Sequence, residues 1–208
     1  MEYYNKNADN FAKTTIDVNF YETQKHFQEL LPEHGYILDF GCGSGRDTKI
    51  FFWTRAFNVD ATDGSEEMCH IASNYTGIQV RRLLFEELDE NKKYDGIWAC
   101  SSILHLPKNE LKAVFMKMLK ALKEDGIIYT SFKYGDFEGE RNGRYFTDFT
   151  EKTFEEFVGE IDNLQLKEEW ITGDVRPGRG EEKMAERNTA EELDDVYEIK
   201  YSTDAMTG

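Results

Sequence analysis

Two hydrophobic periods alternate along this chain, and the switches between them mark its elements. Short runs rich in β-branched and aromatic residues, bounded by turn formers, predict strands at Tyr36–Phe40, Phe57–Thr62, Ile78–Leu84, Tyr94–Cys100, Ile127–Phe132 and Leu164–Ile171. The near-continuous apolar character of Tyr94–Cys100 marks a central strand buried on both faces. Between these runs the spacing becomes helical. Phe20, Phe27 and Leu31 predict a helix from Asp17, capped by Asp17 or Asn19. Ile50–Trp53 reads as a helix buried on most sides, and Met68, Ile71 and Ala72 form the inner face of another that starts at Ser65–Glu67. Leu111, Val114, Phe115, Met118, Leu119 and Leu122 give the clearest helix, with Asp125-Gly126 as its stop and the glycine suited to a left-handed cap. Thr150 caps a helix carrying Phe154, Phe157 and Val158. Residues 1–16 hold spaced aromatics (Tyr3, Tyr4, Phe11) without a clear period, and Lys133 to Phe146 reads as loop. Strand and helix in alternation predict an α/β fold, a doubly wound, mostly parallel sheet with helices on both faces.

The first strand ends in Asp39-Phe40-Gly41-Cys42-Gly43-Ser44-Gly45-Arg46-Asp47-Thr48. Glycines at alternate positions let the backbone approach a ligand, and the helix N-terminus beyond them offers free N–H groups. A dinucleotide site asks for G-x-G-x-x-G, but Arg46 stands where the third glycine belongs; a P-loop asks for Lys-Ser or Lys-Thr, and neither follows Gly45. What remains is acid-x-Gly-x-Gly-x-Gly, in the form of the first motif of the class I S-adenosylmethionine-dependent methyltransferases, which this sequence resembles from about Tyr4 to about Gly180. The run Gly41–Thr48, together with Val175-Arg176-Pro177-Gly178-Arg179-Gly180, resembles the small-molecule branch that includes tellurite-resistance-type methyltransferases.

That resemblance implies a seven-stranded Rossmann-like sheet and S-adenosyl-L-methionine as cofactor, held by Asp39, Gly41, Cys42, Gly43, Gly45 and Arg46 of the loop. Asp63, 18 residues beyond Gly45 and followed by Gly64, is the acid expected to grip the ribose hydroxyls, with helix capping as its competing role. Asp60 is the rival acid, but it sits inside the strand. Many relatives carry an Asp near Leu84 for the adenine amino group; here the position is apolar, which shifts that contact to Phe85 or Glu86. The fourth strand delivers Cys100, Ser101, Ser102 and His105 to the ligand side. His105 is the candidate base if the acceptor must lose a proton, against the plainer reading of a pocket-lining residue. In the family the N-terminal segment folds over the cofactor, so Tyr4 would close the methionine end, against the plainer reading that it only packs an N-terminal arm. Tyr4, His105, Lys133, Arg144 and Arg176 are the candidate acceptor-side residues, and the cations among them suit a small anionic or soft nucleophilic acceptor. Methyl transfer from a sulfonium needs proximity and alignment, not a metal.

Composition narrows the partners. With 41 acids against 25 Lys and Arg, a net charge of −16 and a pI near 4.7, the surface repels phosphate backbones, so nucleic acid is a poor substrate. Cys42, Cys69 and Cys100 form no metal-binding pair and no even disulfide set, as in a reduced cytoplasmic protein. No apolar run approaches the roughly 20 residues of a membrane span. The expected organisation is one domain over 1–180, with 1–31 as an N-terminal arm and cap helix. An acidic tail over 181–208 holds a strand-like run at 196–201 that is a candidate last strand. A monomer or homodimer fits this size. Two alternatives stand beside the enzyme: an inactive cofactor-binding relative, and a nicotinamide oxidoreductase of the same architecture, which Arg46 disfavours.

Overall fold

The computed structural model describes residues 2–54, 57–173 and 196–202. Its strands are β1 (Tyr36–Phe40), β2 (Asn58–Asp63), β3 (Arg81–Arg82), β4 (Tyr94–Ala99), β5 (Leu122–Lys133), β6 (Glu138–Arg141), β7 (Arg144–Thr147), β8 (Gln165–Thr172) and β9 (Val196–Ser202). The helices are α1 (Glu2–Thr15), α2 (Tyr21–Glu29), α3 (Arg46–Thr54), α4 (Glu66–Thr76), α5 (Lys108–Ala121) and α6 (Glu151–Gly159). The main sheet runs β3-β2-β1-β4-β5-β9-β8, and β6 pairs with β7 as a separate hairpin. β3, β2, β1, β4 and β5 pair in parallel, whereas β9 lies antiparallel between β5 and β8. The order reverses between β1 and β4, and the crevice outside the C-terminal ends of those strands is where open α/β sheets bind ligands.

Alternate residues of each strand point to opposite faces, so the sheet carries two cores. On one face Leu38, Ile97, Ile128 and Phe132 pack with Leu111, Phe115 and Met118 of α5 and with Phe154 and Phe157 of α6. On the other, Ile37, Trp98 and Tyr129 meet Phe27 of α2 and Phe51 of α3, with Trp98 stacked on Tyr129 at 3.9 Å. Each such side chain removed from water stabilises the fold by roughly 1.5–3 kcal/mol.

Several expectations are corrected. Residues 2–15 form α1; Tyr4, Ala8, Phe11, Ala12 and Thr15 are spaced as one helical stripe, in which Ala8 and Ala12 are buried. Counting only the aromatics hid that period. The second helix begins at Tyr21, where Asn19 Oδ1 accepts from the Tyr21 N–H at 3.0 Å; Asp17 takes no part. Of the apolar run in α3 only Phe51 is fully buried, while Phe52 and Trp53 are exposed. The third strand pairs only at Arg81–Arg82, and α5 ends at Ala121, with Asp125 rather than Gly126 in the left-handed conformation (φ 59°). The loop after β5 contains the β6–β7 hairpin.

Candidate active site

The glycine loop leaves β1 under steric rule. Gly41 has φ +84°, and a Cβ there would lie 2.5 Å from Cβ of Ser102, so a side chain is excluded by the loop after β4. At Gly45 a Cβ would meet Thr76 and Ala72 of α4 at 2.7 and 3.1 Å. Two of the three glycines thus serve close packing, and only Gly43 turns toward α1, where a Cβ would be 3.4 Å from Phe11. Main-chain N–H groups of Gly41 and Cys42 both donate to the Thr62 carbonyl at 2.9 Å, locking the loop to β2.

Asp63 stands at the end of β2 and points at this loop. Its two carboxylate oxygens accept the Gly43 N–H at 3.0 Å and the Ser65 N–H at 2.8 Å. Burial raises its pKa, against the main-chain N–H groups of Ser65, Gly43 and Gly64. Those three donors fill three of about four lone-pair directions on a carboxylate, leaving one for a sugar hydroxyl in this conformation rather than two. The acid therefore caps the turn and faces the crevice at once. Ser65, not Asp63, caps α4, accepting from the Met68 N–H at 3.2 Å. Asp60 belongs to another system: it takes Arg81, Lys93 and the Tyr94 hydroxyl at 2.6–3.0 Å, and despite burial these partners hold its carboxyl down at about 2.

Asp39 and Arg46 lie deeper than the motif suggests. Asp39 is 2% exposed and accepts the Thr48 hydroxyl at 2.5 Å; burial, with Asp47 beside it, raises its pKa. Arg46 grips Asp47 through Nε (2.7 Å) and Nη2 (2.9 Å), so it is no free cation over the crevice. Asp47 also accepts from Gln24 at 2.6 Å and from the Trp98 indole at 2.9 Å, tying α3 to α2 and β4. Burial works against its charge, but Arg46 and those donors keep its pKa low. Cys42 is half-buried, and burial pushes its thiol pKa well up.

At the end of β4, Ser101 takes a left-handed conformation (φ 49°) while its N–H donates to Ser131 Oγ at 2.8 Å. Cys100 Sγ lies 3.9 Å from both Arg46 Nη2 and Ser131 Oγ. Ser102 donates to the Phe40 carbonyl at 2.7 Å. Phe85 is buried edge-on against Phe40 at 4.9 Å, beside Gly41, whereas Glu86 is exposed. Lys133 is half-buried near Asp148, whose carboxyl pKa burial raises against the Arg141 and Lys133 charges. Arg176 lies outside the described residues.

Helix α1 crosses the strand ends. Phe11 covers Gly43, Thr15 reaches Ser44 at 3.3 Å, and Asn5 Oδ1 accepts the Ser65 hydroxyl at 2.6 Å. At its other end Tyr4 meets His105. His105 Nδ1 is 2.7 Å from the Tyr145 carbonyl oxygen, which can only accept, so Nδ1 carries the proton and Nε2 accepts the Tyr4 hydroxyl at 2.6 Å. Burial, with the Arg144 charge adding to it, lowers the His105 pKa to about 4 despite the Tyr145 bond, and burial raises that of Tyr4. Arg144 Nη1 is 3.5 Å from the Tyr4 oxygen. A half-buried acid with an open lone pair, a glycine loop at the rim and a buried cation with an unfilled donor are a donor set that fits an adenosyl cofactor beside a second ligand.

Residues 37–126 match the family model described as a methyltransferase domain. That match spans 90 of the 208 residues. YqeM of Bacillus subtilis (strain 168), itself named only as a candidate methyltransferase, is 31% identical over 123 residues, covering 54% of this chain and 49% of its own. The N-terminal Xaa-Pro-Lys N-methyltransferase 1 of Bos taurus is 30% identical over 128 residues, covering 55% and 56%. The chain spans about half the length of the curated relatives it matches. Among solved structures, the Burkholderia thailandensis 1,6-didemethyltoxoflavin-N1-methyltransferase with bound 1,6-didemethyltoxoflavin and S-adenosylhomocysteine superposes with a TM-score of 0.64 at 20% identity. That alignment covers 98% of this chain and 90% of the other, and it shows the shared Rossmann-like fold.

Sequence reasoning missed the roles of Asp47, Ser131 and Phe11. Asp47 meets Gln24 and Trp98, 23 and 51 positions away, and Ser131 meets Ser101, 30 positions away, so neither role leaves a local signal. Phe11 alone was within reach, through the alanines that share its helical stripe.

Proposed function

We propose that this chain is an S-adenosylmethionine-dependent methyltransferase acting on a small-molecule acceptor. The observation that carries the reading is Asp63, at the end of β2, whose carboxylate accepts the N–H of Gly43, the middle glycine of the loop after β1. Both residues fall within 37–126, the stretch that matches the methyltransferase-domain model, which supports the reading. The ribose would sit on Asp63, the adenine beside Phe85, and the methionine end along the loop toward Ser101. The cofactor supplies an activated methyl carbon, so the chain's own work is to align an acceptor and exclude water.

On the acceptor side Tyr4, His105 and Arg144 face one another beneath α1, which suits a molecule of modest size. With its pKa near 4, His105 is neutral at pH 7, and its Nε2 accepts the Tyr4 hydroxyl. It orients that hydroxyl rather than taking a proton from the acceptor. A protein N-terminus is the second reading, favoured by the printed substrate of the bovine relative.

Calorimetry with S-adenosylmethionine and S-adenosylhomocysteine tests the cofactor, with NAD as the comparison ligand. Methyl-labelled cofactor is then offered with a panel of small amines, thiols and carboxylic acids, and separately with a peptide beginning Xaa-Pro-Lys. Label on small molecules supports the proposal. Label only on the peptide overturns the acceptor class, and binding of NAD alone overturns the enzyme class.

A further inference from the structure

Two arginines face each other across the β6–β7 hairpin, Arg141 opposite Arg144, and their charges are treated differently. Arg141 Nη2 is bonded to Asp148 at 2.6 Å. Arg144 is half-buried, yet among the described residues no carboxylate pairs with it. Its Nε is fully buried without a hydrogen-bond partner, and Nη1 reaches only the Tyr4 oxygen at 3.5 Å. In a chain with 41 acids and 25 Lys and Arg, a sequestered guanidinium lacking an acid runs against composition. A buried donor left unsatisfied costs roughly 1–3 kcal/mol, more when charged.

What does hold Arg144 is aromatic. Its guanidinium carbon lies 4.8 Å from the Tyr3 ring and 5.0 Å from the Phe146 ring, while the His105 ring packs on Phe146 at 4.7 Å. Cation–π contacts fix a guanidinium without filling its in-plane donors. A planar fork of N–H groups, pre-oriented and with Nε unfilled, matches a carboxylate.

Position adds to this. The order β2-β1-β4-β5 lines up Asp63, the glycine loop, Ser101 and His105, then the hairpin that follows β5. Along α1, Phe11 lies over the loop and Tyr4 beside Arg144, seven residues or about 10 Å apart at 1.5 Å per residue. Arg144 thus stands past the methionine end of the crevice, where the acceptor belongs.

We infer that the methyl acceptor is a carboxylic acid, bound as the carboxylate by Arg144 against Tyr4 and His105. The inference rests on the methyltransferase reading above. One unneutralised cation balances one negative charge, which favours a carboxylate over a phosphate dianion.

The test is titration of the full chain, saturated with S-adenosylhomocysteine, with acetate, benzoate and anthranilate, with the matching neutral amides, and with inorganic phosphate. At least one carboxylate should saturate and bind ten-fold or more tightly than its amide. Arg144→Gln should abolish that preference, Arg144→Lys should restore part of it, and Arg141→Gln should leave it in place. The inference is overturned if no carboxylate binds, if an amide binds equally well, if phosphate binds best, or if Arg144→Gln retains the preference. Should Arg144→Gln fail to fold, the comparison of carboxylate with amide on the unmodified chain still decides. Absence of S-adenosylhomocysteine binding in the first step counts against the cofactor instead, so the two failures are separable.

Discussion

The Tyr4 hydroxyl donates a hydrogen bond to Nε2 of His105 across 101 positions of sequence, at 2.6 Å, because the opposite ring nitrogen is committed to the Tyr145 carbonyl. This pair pins the N-terminal helix to the turn after β4 and fixes the histidine tautomer. Its pH dependence has a definite sign. His105 titrates near 4 when folded against 6.5 ordinarily, so its share of stability is complete above pH 6.5 and is lost as pH falls toward 4. Between pH 7 and 5 the loss should be about 1–2 kcal/mol. His105→Gln should flatten that part of the profile in urea melts; an unchanged slope would show that the ring is not held neutral.

The two acids of β2 should separate cleanly. Asp63→Ala removes a charged acceptor at the crevice and should weaken S-adenosylhomocysteine binding by about ten- to a hundred-fold, the worth of a charge-assisted hydrogen bond. Asp60→Ala should lower the melting temperature and leave that affinity within about two-fold, since Asp60 serves Arg81, Lys93 and Tyr94. Equal effects of the two changes on affinity would mean that Asp63 is only a cap.

Asp60 also predicts acid sensitivity of its own. Its carboxyl is held at about 2 against the ordinary 3.8, so its contribution is present above pH 3.8 and disappears as pH drops through 2. In Asp60→Asn the stability lost between pH 4 and 2 should be smaller than in the unmodified chain, as followed by circular dichroism.

Two left-handed glycines make a controlled comparison. At Gly77 (φ +79°) nothing lies within 4 Å of an added Cβ, so Gly77→Ala pays backbone strain alone, about 1–2 kcal/mol. Gly41→Ala meets the same kind of strain and also Ser102 at 2.5 Å; we expect at least about 3 kcal/mol in denaturant titration. Equal costs would mean that the loop after β4 yields freely.

Phe11 rests where a ligand must approach Gly43. Phe11→Ala should speed cofactor association and dissociation together in stopped-flow traces, since a cover governs both. A change in dissociation alone would make Phe11 a contact and not a cover.

How much was readable beforehand depended on whether a residue's role was local. The strands, the helix at Leu111–Met118 and the Thr150 cap follow from period and side-chain chemistry within a few positions, and the glycine loop with Asp63 follows from spacing. Arg46 misled because its neighbour Asp47, adjacent in sequence, absorbs its charge inside the fold. The partition between Arg141 and Arg144 was invisible, since only folding decides which one meets Asp148. His105 was placed correctly at the strand end, but its neutral state comes from burial and a carbonyl forty residues away.

The position of β9 reverses synthesis and architecture. Of the sheet's strands it is the last to be made, yet it occupies an interior place, and it is the strand through which β8 joins the sheet. A nascent chain that has already produced β8 must keep a berth beside β5 vacant until Val196–Ser202 arrives, so the sheet's far side closes late, and truncation before Val196 should cast β8 adrift while β3 to β5 remain joined.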